Sequence, residues 1–144
     1  MRTASKMAVA ITTIALAVGL SACSGGQSVV DACKVINTEG QKIISDSNSA
    51  MGDVASDPSA AAKTLKSISG QMKDLGKKVT NADVKKAWDG LVTSYDGFSE
   101  LIDTVAGDPS ILTDQDKAAD FSTKVQDSAK TLTEKGNALD KLCK

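Results

Sequence analysis

Three thiols are the side chains best equipped for chemistry in this chain, and their settings divide them between two tasks. Cys23 stands directly behind Ser21 and Ala22, at the end of an uncharged stretch from Met7 to Leu20, with Arg2 and Lys6 ahead of it. Cys33 and Cys143 lie far apart, near the two ends of the remaining sequence. Other reactive patterns are missing. The sequence contains no histidine, so the commonest general base at neutral pH is absent, as are Ser-His-Asp and Cys-His arrangements. Two distant cysteines without histidine do not complete a zinc shell. Asp114-Gln115-Asp116 is too short for a calcium loop and lacks its glycine and its terminal glutamate. The remaining acidic residues fall singly, as on a solvated helix face. The expectation is a protein with no catalytic residues, no metal site and no cofactor.

Residues 1–23 have the layout of a secretory leader: a cationic head, an apolar run and small residues before the cut. Leu20-Ser21-Ala22-Cys23 resembles the lipobox of bacterial lipoproteins, in particular the small lipoproteins of high-GC Gram-positive bacteria. The resemblance implies removal of residues 1–22, a diacylglyceryl group (palmitate or a similar acyl) on Cys23, and a position on the extracytoplasmic face of the cell membrane. Two acyl chains anchor stably where one binds marginally, at ~0.8 kcal/mol per buried CH2. An uncleaved transmembrane helix is the competing reading, but Met7–Leu20 is short of the ~20 apolar residues needed to span a bilayer. A plain secreted protein is the other.

Loss of residues 1–22 would take Arg2 and Lys6 from the 17 basic side chains and nothing from the 18 acidic ones, moving the net charge from −1 to −3. That mild, evenly spread acidity leaves no basic footprint for nucleic acid and no polybasic patch for anionic lipid. Cys33 and Cys143 form an even pair outside the cytosol, where a disulfide is the expected state. It would close a loop of roughly 110 residues, which loop-entropy arguments put at ~4.7 kcal/mol.

Ser24-Gly25-Gly26-Gln27-Ser28 is small and polar, so residues 23–28 are expected to be a lipidated flexible tether and 29–144 a single domain. From Val29 onward apolar residues recur at spacings of three and four, the stripe of packed helices. The first stripe is Val29, Cys33, Ile36, Gly40, Ile43, Ser47, Ala50 and Val54, and the second Ala61, Leu65, Ile68, Met72, Leu75 and Val79. A third runs through Val84, Trp88, Leu91, Tyr95, Phe98, Ile102 and Val105; the fourth holds Ala118, Phe121, Val125, Ala129, Leu132, Gly136, Leu139 and Leu142. Start signals are Asp57-Pro58, Asn81, Asp108-Pro109 and a capping-box variant from Thr113 to Asp116. A Cys33–Cys143 bridge requires Cα atoms within about 7 Å, which favours an even number of long helices. The expected fold is all-α: an antiparallel four-helix bundle closed by one disulfide.

Trp88, Tyr95 and Phe98 are the main concentration of large side chains. Core packing accounts for them; a pocket between helices for a lipid or small hydrophobic ligand is the functional alternative. Gly40, Gly70, Gly76, Gly90, Gly97 and Gly136 fall inside the expected helices; they suit close helix approach or neutral drift, or else helices that open for a ligand. The leading expectation is a lipid-anchored binding or scaffold protein, an accessory subunit with a protein partner in the envelope. Its rival is a ligand carrier.

Overall fold

A computed structural model describes residues 26–54 and 56–144 of the chain. The leader 1–22, Cys23 and the start of the tether lie outside the described residues. Four α-helices follow one another: α1 (Val29–Asp53), α2 (Pro58–Lys78), α3 (Ala82–Gly107) and α4 (Gln115–Leu142). A 3-10 turn, Pro109–Leu112, precedes α4, and the described residues contain no strand.

Each helix starts where a side-chain oxygen satisfies backbone N–H groups left without an intrahelical partner. Ser28 accepts from the Asp31 amide, Asp57 from Ala60 with Pro58 in the first helical position, and Asn81 from Val84. Both Asp-Pro-Ser sites put their aspartate to this use, although Asp108 caps only the 3-10 turn, through Ser110. At α4 the cap is one residue later than the capping-box pattern suggests. The Asp114 carboxylate takes the amides of Asp116 and Lys117, while the Thr113 hydroxyl donates back to the Ser110 carbonyl at 3.2 Å. A carboxylate is favoured over a hydroxyl there because it also meets the positive end of the helix dipole.

Helices adjacent in sequence pack against each other, α1 on α2, α2 on α3 and α3 on α4, with a lighter contact of α1 on α3. The core is densest between α2 and α3, where Leu65, Ile68, Val84 and Ile102 are almost fully enclosed. Each such side chain contributes roughly 1.5–3 kcal/mol by leaving water. In contrast, α4 buries only Leu139. Its half-buried stripe runs through Phe121, Val125, Ser128 and Leu132, so Ser128 and Cys143 take the inward positions expected for Ala129 and Leu142.

Along their lengths α1 and α4 do not pack. They are joined by the Cys33–Cys143 disulfide, whose Cα atoms stand 5.4 Å apart. The α2–α3 connection is fastened to the start of the body as well. Asn81 Nδ2 donates to the Gln27 carbonyl at 3.1 Å, and Thr80 exchanges two hydrogen bonds with Gln27. Gln27 and Ser28, expected to be part of the tether, therefore belong to the folded body.

Candidate ligand-binding groove

Because α1 and α4 meet only at the disulfide, a cavity of about 480 Å3 is left between them. That volume lies in the ~300–1,000 Å3 range of small-molecule sites. The floor comes from α3, where the 88, 91, 95 spacing aims Trp88, Leu91 and Tyr95 into the gap, and Met72 of α2 completes it. One wall is α1, with Ile36, Gly40, Ile43 and Ser47; the other is α4, with Gly136, Leu139 and Cys143. Ile44, Asn37, Gln41 and Asn48 form an exposed rim on α1.

Trp88 is locked in place. Its indole N–H donates to the Met72 carbonyl at 2.9 Å, and the ring lies against Gly76, where an added Cβ would come within 3.0 Å of Cδ1 and Nε1. A satisfied N–H leaves the ring to present only apolar surface. Tyr95 is held by its hydroxyl, 3.2 Å from Ser47 Oγ, and so ties α3 to α1 above the floor. Burial pushes its phenol pKa above the ordinary value, and the Ser47 hydrogen bond offsets only part of that. Of the three aromatic residues singled out in the sequence, Trp88 and Tyr95 share the groove. Phe98 does not: it is enclosed in the core and absent from the lining.

Neither Gly40 nor Gly136 meets another part of the molecule tightly. An added Cβ would find only Ile36 of its own helix at 3.9 Å in the first case and open space in the second. Each lies seven residues from a bridging cysteine, or ~10.5 Å along its helix. This pairing was the available sequence signal for the groove: two stripe positions without side chains, at one distance from a common tie. The unpaired rim amides carried no such signal.

A second, polar cleft between α2 and α3 holds Ser69, Lys73 and Asp96. Ser69 Oγ donates to Asp96, whose other oxygen pairs with Lys73 at 2.9 Å. Burial raises the Asp96 pKa, but Ser69 and Lys73 outweigh it and hold the carboxyl below its ordinary value. With Ser69 and Lys73 both committed to the Asp96 carboxylate, the cluster pins two helices together. Among the described residues no three His, Cys, Asp or Glu side chains come together as a metal site, and no helix is long and apolar enough to cross a membrane.

No known protein family, curated protein or solved structure matches this chain.

Proposed function

We propose that this protein is a lipid-anchored, extracytoplasmic binding protein, non-enzymatic, which carries a lipid or small hydrophobic ligand between α1 and α4. The observation behind the reading is the apolar groove of about 480 Å3 over Trp88, Leu91 and Tyr95. An open seam of this kind exposes apolar surface that a closed helical body would bury. The helices alternate in direction, as an antiparallel four-helix bundle whose last seam is closed only at the disulfide end. Short connections and the Cys33–Cys143 distance of 5.4 Å support that arrangement. Anchorage rests on the sequence around Cys23.

Gentle extraction from native membranes followed by mass spectrometry tests both parts. The expected intact mass lacks residues 1–22 and carries acyl groups, and an apolar small molecule co-purifies at about one per chain. Gly136→Leu, which grows a side chain into the groove, should lose that molecule while keeping its helical circular dichroism. A bare thiol would overturn the anchor, and an empty wild-type groove the carrier.

One observation favours a protein partner as a second reading. Val30, Ile44 and Met51 are exposed on α1, 76%, 62% and 45% respectively, at heptad-related positions that suit a docked helix. An envelope scaffold or accessory subunit would use this face. Val30→Lys with Met51→Lys should then release a stoichiometric partner that wild type retains.

A further inference from the structure

The rim of the groove has a chemistry of its own. Asn37, Gln41 and Asn48 fall on one face of α1 and are exposed, and none of their side-chain amides makes a hydrogen bond within the described residues. Each amide offers both donors and an acceptor without net charge. The lining includes no lysine or arginine, and its one carboxylate, Asp140, is already paired with Lys144. An anionic head would therefore find a carboxylate but no lysine or arginine among the lining side chains, which disfavours it. From Ile36 to Asn48 the wall extends ~18 Å along α1, over Ile43, Leu91 and Trp88. Such a shape accepts a single extended chain.

Building on the carrier reading above, we infer that the ligand is an uncharged amphiphile: one acyl chain on the apolar floor, with a hydroxyl-bearing head hydrogen-bonded by Asn37, Gln41 and Asn48. Hydroxyl groups match amides because both give and accept hydrogen bonds. Selection operates through what the rim lacks as much as through what it offers, since the Asp140 carboxylate repels a like charge and no lysine or arginine of the lining attracts it.

Quenching of Trp88 tests this, because it is the only tryptophan in the chain. The lipidated protein is placed in phosphatidylcholine vesicles and titrated with brominated monoacylglycerol and with the brominated fatty acid of equal chain length, at a pH where the acid is ionised. The uncharged probe should quench at a concentration at least tenfold lower. Gln41→Lys, an exposed helix-compatible change, should narrow that gap severalfold by giving the acid a cation, and Gly136→Leu should abolish quenching by both probes. Equal quenching by the two, or a preference for the acid, would overturn the head-group selection while leaving the groove a ligand site. No quenching by either would remove the carrier reading with it. Quenching that survives Gly136→Leu would show that the probes reach the indole from the bilayer, and would also overturn the proposal.

Discussion

A methyl group added at Gly76 would sit 3.0 Å from two ring atoms of Trp88, which is itself fixed by its bond to the Met72 carbonyl. The same methyl at Gly136 meets nothing. Gly76→Ala is therefore expected to destabilise the protein by about 1–3 kcal/mol, the usual cost of overpacking, despite the better helix propensity of alanine. Gly136→Ala should stabilise it by up to ~1 kcal/mol. Urea unfolding of the two variants checks both signs. In sequence the two glycines look alike, each on or beside an apolar stripe. What separates them is the neighbouring helix: α2 lies hard against α3, whereas α4 stands away from α1. The inward placement of Trp88 and Tyr95 was readable because stripe position and size are local properties. The exclusion of Phe98 was not, because it depends on which side of α3 the gap opens.

Among the elements, the helices were legible throughout, since spacings of three and four persist over every segment and polar caps stand at each start. The beginning of α4 is where the pattern misled. A threonine followed three residues later by aspartate fits a capping box, yet Asp114 holds two amides and Thr113 holds none. Asp114→Ala should accordingly cost about 1 kcal/mol, and Thr113→Ala distinctly less, as measured by denaturant midpoints at constant slope. The inward stripe of α4 was off by one residue at Ser128 and at Cys143 for a related reason. A helix that buries only Leu139 packs on one neighbour, and its sequence is under little pressure to spell out a wide apolar face.

At the level of the whole molecule, stability is unevenly spread, with α2 and α3 at the centre and α4 held by one flank and one covalent bond. Reduction of Cys33–Cys143 should lower the unfolding free energy by ~4–5 kcal/mol on loop-entropy grounds, a large share of the ~5–15 kcal/mol typical of a domain. Amide hydrogen exchange after reduction should accelerate in α4 well before α2 and α3. The groove itself was the least legible feature, because it arises from two helices failing to meet, and no residue pattern within either helix states how far apart they stand.

All three interhelical connections, 54–57, 79–81 and 108–114, fall between the bridged cysteines. A peptidase that nicks any one of them produces two fragments still joined through sulfur. If Cys23 is acylated as proposed, α1 alone moors the body, and the severed portion would stay at the cell surface until a reductant arrives. Release by proteolysis would thus require cleavage ahead of Cys33, in the few residues between the acylated thiol and Gln27.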